Sequence, residues 1–284
     1  MSVSKPATTT NIVGLSDGVT YNFKVKSVDT SANKSVSVDA EKYIGTPTTA
    51  RADATGGVTT FVNNGNGTWD EVHTFATRGP ALLTLNKGPV NAKVLVVGGG
   101  GNGGSGTNDA GGGGGGAGGV LYQASYTLSS NNINLKVGGT IEESWLGSVN
   151  DLFAESGGNG GDAVDAPYNY QGGNGGSSGG TKINSVYTNG NGGGQGYGDT
   201  YSGAGGGGGG AGGGGQNGDA YSGGVGGAGV DNAISGTKET YGRGAGGGGT
   251  GGQAGGFVTS AVGTTHYGDA GQQGVVIVRW NWID

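Results

Sequence analysis

The sequence predicts an all-β protein with irregular segments: a β-sandwich-like scaffold carrying an inserted bundle of polyglycine type II helices, and almost no α-helix. Three observations lead there. Gly occupies 75 of 284 positions, about 26%, against a usual share of roughly 7%. These glycines are concentrated, with 9 in residues 1–97, 62 in residues 98–256 and 4 in residues 257–284. The flanks of the rich span carry period-two alternation and short β-branched runs, the patterns of half-buried and fully buried strands. Collagen is excluded. It needs Gly at every third position with abundant Pro, whereas this chain has unbroken Gly runs at 111–116 and 205–210 and only 5 Pro.

From the N-terminus, residues 20–28 place Tyr21, Phe23 and Val25 on one face, after a turn at Ser16-Asp17-Gly18. A second turn at 30–33 leads into a short return strand at 35–38. Residues 12–21, with a Leu before the turn and a Tyr closing the corner, resemble the late-strand portion of a fibronectin type III sandwich. The resemblance covers about residues 10–47, whereas a full sandwich needs ~100 residues. It therefore implies a partial domain with open strand edges. Residues 1–47 are expected to act as an attachment segment, docking either onto another chain or onto the chain's own downstream domain.

Residues 48–57, poor in apolar side chains, read as a linker. A β scaffold follows at 58–97, with strands expected at 58–62, 69–75, 81–85 and 92–97. Asn64-Gly65 and Asn66-Gly67 supply the positive φ that a tight hairpin demands. Residues 257–284 hold the closing strands of the scaffold. The runs at 93–97 and 275–278 are short, continuous and β-branched, which predicts two buried central strands. If these share one sheet, the glycine-rich region 98–256 begins and ends side by side.

That region is too repetitive for a spacer. Gly-Gly-Gly-Gly-Gly-Gly-Ala-Gly-Gly occurs at 111–119 and again at 205–213, and Gly-Asp-Thr-Tyr-Ser-Gly at 198–203 is echoed by Gly-Asp-Ala-Tyr-Ser-Gly at 218–223. Fixing each backbone costs ~1–2 kcal/mol, most for Gly, and side-chain burial does not offset it here. Backbone hydrogen bonds remain, each contributing a net ~0.5–1.5 kcal/mol. Runs without side chains allow extended three-per-turn helices to approach and bond one another, with the non-Gly stretches forming turns and loops at the bundle's ends.

Several functional classes are excluded. Without Cys there is neither a disulfide framework nor a thiolate metal site. A formal charge of −6 with 14 scattered Lys and Arg argues against a nucleic-acid partner. The longest apolar stretches, 94–97 and 275–278, fall far short of the ~20 residues of a spanning helix, so no membrane insertion is expected. Residues 1–6 lack the apolar region of a signal peptide, which predicts synthesis in a cytoplasm.

Chemical motifs are few. Residues 157–165 fit the calcium β-roll nonapeptide, but as a single copy, because the neighbouring 172–177 lacks the Asp; it reads as a chance match. Gly176-Ser177-Ser178-Gly179-Gly180 fits the nucleophile-elbow pattern, which requires a helix that does not follow. His73 and His266 have no acidic cluster at metal spacing, and His73, in an alternating strand, reads as structural. Glu142-Glu143 reads as a solvated pair. No catalytic residue, metal or cofactor is expected, and the chain does not read as an enzyme.

Residues 72–75, 94–101, 116–120 and 274–280 together resemble the glycine-rich domain of phage tail and structural proteins, over about residues 58–282. They are similar in kind to the adhesins that cap T-even-like phage long tail fibres, and to the extracellular glycine-rich domain of anaplastic-lymphoma-kinase-type receptors. The resemblance implies a polyglycine-helix bundle whose end loops, in the phage adhesins, contact a bacterial receptor. It implies a virion location, attachment to other virion proteins through the N-terminal segment, and membership of a homo-oligomer or larger assembly. The receptor-contact candidates are aromatics in short islands between Gly runs: Tyr168, Tyr170, Tyr187, Tyr197, Tyr201, Tyr221, Tyr241 and Tyr267, with Trp145. Tyr among Asn, Ser, Gly and Asp is the composition of adaptable recognition loops; equally, such rings can cap and cover the bundle. The alternative for the whole protein is a capsid or tail decoration that uses the domain as a rigid module.

Overall fold

The computed structural model describes residues 21–24, 42–45, 54–64, 68–86, 89–129, 131–166, 169–199, 202–249, 255–256 and 267–282. The chain divides into two compact units, residues 1–52 with residue 284, and residues 53–283. In the first unit, β1 (Tyr21–Lys24) pairs antiparallel with β2 (Lys42–Gly45), Tyr21 opposite Gly45. The return strand expected at 35–38 lies outside the described residues.

The second unit begins with β3 (Ala54–Thr55), β4 (Val58–Asn63), β5 (Trp69–Phe75), β6 (Gly79–Leu85) and β7 (Val90–Val97). It continues with β8 (Val120–Leu128), β9 (Asn132–Val137), β10 (Ser144–Leu146) and β11 (Leu152–Ala154). Short strands follow: β12 (Val164–Ala166), β13 (Asn169–Gln171), β14 (Thr181–Ile183), β15 (Val186–Thr188), β16 (Tyr197–Asp199), β17 (Gly203–Ala204), β18 (Val230–Asn232) and β19 (Glu239–Tyr241). The last is β20 (Val275–Trp282). No helix occurs among the described residues, so the fold is all-β.

Two sheets form the scaffold, one of five strands in the order β4-β5-β20-β7-β8 and one of seven in the order β15-β14-β11-β10-β9-β6-β3. The two β-branched runs are neighbours in the first: Val275 lies opposite Val97 and Val278 opposite Val94. Alternation then sends successive side chains to opposite faces. Val94, Val96, Val276, Val278 and Trp280 join Leu83, Leu135, Leu146 and Leu152 of the other sheet in one core. Leu95, Val97, Val275 and Ile277 face the other way and are covered by Ile234 and Tyr241 of the β18–β19 hairpin. Both faces of β7 and β20 are therefore apolar, which is why these strands read as continuous runs.

Arg279 pins the hairpin to the sheet. Its Nε donates to Asp70 Oδ2 at 2.6 Å, and its Nη1 donates to the carbonyls of Ala233 and Ile234. Burial acts to raise the Asp70 carboxyl, and donation from Asn64 and Arg279 outweighs it, leaving the group below its ordinary value. A second polar cluster sits inside the sandwich. His73 Nδ1 lies 2.6 Å from the Gly56 carbonyl oxygen and Nε2 lies 2.7 Å from Glu71 Oε1, while the ring stacks on Trp280 at 5.2 Å. A carbonyl only accepts, so Nδ1 donates to Gly56, and Nε2 and Glu71 are hydrogen-bonded to each other. Both residues are fully buried.

The glycine-rich span is not uniform. Residues 120–154 and 181–188 contribute β8 to β11, β14 and β15 to the scaffold sheets, because Leu121, Leu128, Leu135, Leu146 and Leu152 give them faces to bury. Apart from the β18–β19 hairpin and the short strands β12, β13, β16 and β17, most of the remaining described segments of 98–256 form a hydrogen-bonded lattice. Residues 110–119 run through its centre and bond six neighbours: 98–104, 155–161, 173–179, 203–209, 245–248, and a flank contributed by Gly256 and Gly268. The bonding has a period of three. The N–H groups of Gly113, Gly116 and Gly119 donate to residues 161, 158 and 155, and those of Gly111, Gly114 and Ala117 to residues 203, 206 and 209. The carbonyls of 111, 114 and 117 accept from 173, 176 and 179. Residues 203–211 form a second centre with its own six neighbours, the segments around 114, 173, 194, 216, 224 and 245.

Candidate functional site: the loop end of the glycine lattice

The lattice segments attach to the sandwich at one end and turn back at the other. Residues 98, 119, 155, 180 and 274 adjoin scaffold strands, so the described parts of the connections, 105–110, 163–166, 169–171, 197–199, 202–203 and 218–223, lie at the far end. Bonds between these connections agree: Gly111 donates to Gly203, and Gly203 donates to Asp109. There β12, β13, β16 and β17 make a small four-stranded sheet.

In both copies of the recurring Gly-Asp-x-Tyr-Ser-Gly motif at this end, the Asp and Ser are bonded alike. In each, the Asp N–H donates to the Ser carbonyl at 3.0 Å, and the Asp carboxylate accepts from the Ser N–H, at 2.8 Å for Asp199 and 2.7 Å for Asp219. Asp219 also accepts from the Tyr221 N–H at 2.9 Å. Such Asx turns fix the backbone locally without help from a core. The Tyr221 ring stands 84% exposed at the tip. Donation from the Tyr221 and then the Ser222 N–H holds the Asp219 carboxyl below its ordinary 3.8. A depressed folded value means the turn is intact above pH 3.8 and loosens as pH falls through the lowered value. In an NMR titration, the Tyr221 and Ser222 amide resonances are expected to move together below pH 3.8, and Asp219→Asn is expected to remove that titration.

The nine aromatic candidates separate into two groups. Tyr197 and Tyr221 lie at the loop end, with the backbone of Tyr170 in β13; Tyr168 and Tyr201 fall outside the described residues. Tyr197 is half-buried, its hydroxyl 3.4 Å from Asp199 Oδ2. The other four belong to the scaffold end. Trp145 is in β10 and Tyr187 in β15, on the seven-stranded sheet. Tyr267 packs on the hairpin-side core. Tyr241 is a core residue at 1% exposure, its hydroxyl 3.1 Å from Glu239. Burial and then the Glu239 charge raise its hydroxyl's pKa. Its ring is enclosed between hairpin and sheet, so it offers no face to a partner. The structure thus brings together fewer residues than the composition of the islands suggested.

Sequence reasoning also passed over the lattice-edge side chains. Where an outer segment has no neighbouring carbonyl, a side-chain oxygen takes its place. Asn102 N–H donates to Asn159 Oδ1, Ser105 to Asp162, Gly196 to Asn174, and Gln195 to Asn217, at 2.7 to 2.9 Å. Asp162, the acidic residue of the calcium-like nonapeptide, therefore serves as a backbone acceptor. Ser178 of the elbow-like pattern does the same for Asn191 at 2.7 Å. The signal was the triplicated Gly-Gly-Asn-Gly-Gly at 100–104, 157–161 and 172–176. Glu142, expected solvated, instead pairs with Arg78, and Glu143 with Lys136 at 2.8 Å.

Among the described residues no group of three His, Asp or Glu side chains is placed to hold a metal ion, and no helix is long and apolar enough to cross a membrane. No protein-family model, curated protein or solved structure matches the chain. What fold and site define is an all-β protein whose glycine-rich backbone lattice stands on a two-sheet scaffold and carries turns at its far end.

Proposed function

We propose that this is a phage virion protein, a tail-fibre tip adhesin that meets a host surface receptor through the turns at the far end of the lattice. The observation that carries the reading is the repeated Asp-x-Tyr-Ser turn, self-braced by its own Asp and bearing the exposed ring of Tyr221. Exposed Tyr on a rigid turn gives contact area at low entropic cost. In the same reading the period-three segments are polyglycine type II helices, and residues 1–47 form the fibronectin-like segment that attaches the protein to other virion proteins. Tyr221→Ala is expected to leave the melting temperature unchanged and to lower adsorption of assembled particles to host cells by about tenfold or more, the usual weight of an anchoring aromatic. Unchanged adsorption in variants of all the far-end tyrosines would exclude the reading. The dense lattice, bonded on every side of its two central segments, also suits a rigid capsid or tail decoration. Density at the fibre tip distinguishes the adhesin from a regular array along capsid or tail.

A further inference from the structure

One row of side chains crosses the outer face of the seven-stranded sheet. Its members occupy opposed positions on neighbouring strands: Lys136 faces Trp145, Trp145 faces Phe153, Phe153 faces Lys182, and Lys182 faces Tyr187. Alternation settles which face they share, since Leu135, Leu146, Leu152 and Ala154 beside them point into the core. Adjacent strands lie ~4.8 Å apart, so the three rings form a strip several strands wide. The far end of the strip is held by the two-residue turn Asn184-Ser185, with φ of 45° and 68°, as a type I′ hairpin requires. That turn sets Tyr187 beside Lys182.

Lys182 has more burial than compensation. Its exposure is 9%, and its ammonium lies 4.8 Å from the ring centre of Phe153 and 5.2 Å from that of Tyr187. Its hydrogen bonding among the described residues is one long contact, 3.4 Å to Asn150 Oδ1. Glu155, two residues beyond Phe153, accepts from the Gly180 N–H, and at the other end of the row Glu143 is paired with Lys136. A buried ammonium is costly unless an anion or strong acceptors complete it. The two rings supply part of that through their faces, and the remaining N–H donors are available to a ligand.

We infer that this strip binds an acidic saccharide. Sugar rings stack on Trp145, Phe153 and Tyr187, and a carboxylate or phosphate on the sugar meets Lys182. Trp145 and Phe153 are half-buried and Tyr187 is 57% exposed, which leaves apolar ring surface for the C–H faces of a pyranose. The site stands on the scaffold, away from the far-end turns, and does not depend on the adhesin reading.

The test is titration of the full chain with trigalacturonate, glucose 6-phosphate and maltotriose, followed by calorimetry and Trp fluorescence. Saturable binding of at least one acidic probe is expected, with maltotriose weaker by about tenfold or more. Which acidic probe binds identifies the anionic group. Lys182→Met is expected to weaken the acidic probe by about tenfold. Tyr187→Ala, an exposed change on an edge strand, is expected to weaken it as well, and Tyr221→Ala to leave it unchanged. No saturable binding of either acidic probe at millimolar concentration, equal binding of maltotriose, or full affinity in Tyr187→Ala overturns the inference.

Discussion

Gly114→Val is expected to abolish the cooperative thermal transition of the lattice, a loss above about 4 kcal/mol, in the range reserved for gross core disruption. Gly114 is buried in the first central segment, and a Cβ placed there falls less than 3.0 Å from the carbonyl oxygens of Ala245 and Gly246. The obstacle is backbone that is itself hydrogen-bonded, as Ala245 donates to the Gly115 carbonyl, so neither side can yield. Gly208 in the second centre meets the carbonyl of Gly115 in the same way, and Gly208→Val should behave alike. The control is Gly213→Ala, where an added Cβ meets nothing within 4 Å. It is expected to be neutral, or stabilising by up to about 1 kcal/mol through the unfolded chain. Differential scanning calorimetry of the three variants separates close packing from a general liking for Gly; equal losses in all three would rule the packing account out.

The second large effect concerns the buried Glu71–His73 pair. Glu71→Ala is expected to cost about 3–5 kcal/mol, as does any removal of one partner from a buried pair. His73→Ala loses the same contact, the stacking on Trp280 and the donor to the Gly56 carbonyl. The double variant Glu71→Leu with His73→Phe keeps apolar volume and a ring against Trp280, and is expected to fall well short of the summed single losses. Urea unfolding of the double variant beside wild type and the matching single variants Glu71→Leu and His73→Phe measures the coupling. Additive losses would show that the two residues contribute separately.

How much of this was visible in the sequence depends on what each residue contributes to a pattern. Trp69–Phe75 is recovered with its observed bounds, and the pairing of 275–278 with 94–97 follows from apolar runs that bury both faces. The scaffold strands from Val120 to Ala154 were hidden by the average composition around them, although Ile133, Leu135 and Val137 alternate plainly. Tyr241 looked like a loop residue because Gly242 and Gly244 follow it; only the hairpin register, with Tyr241 opposite Val230, reveals that it lies against the sheet. The Lys136-to-Tyr187 row was not legible at all, because it is a property of strand register across four β-pairings and has no local spacing. Asn159 and Asn174 share a readable recurrence, Gly-Gly-Asn-Gly-Gly, but a recurrence by itself does not say that the Asn oxygens stand in for missing backbone acceptors.

The neighbour relation between β7 and β20 sets an order of events. Val97 and Val275 sit side by side but are 178 positions apart in the chain, so β20 enters the middle of its sheet after every lattice segment has been made. Until then β5 and β7 each present an open edge to other strands, the condition that invites mispairing. Contacts this distant in sequence make for slow folding, and the period of exposure lasts as long as synthesis of the lattice. The segment that completes the sheet also completes the lattice, because Gly268 accepts from Gly118 just before β20 begins. Assembly of this molecule is therefore a closing step made once, near the end, by the residues that follow the glycines.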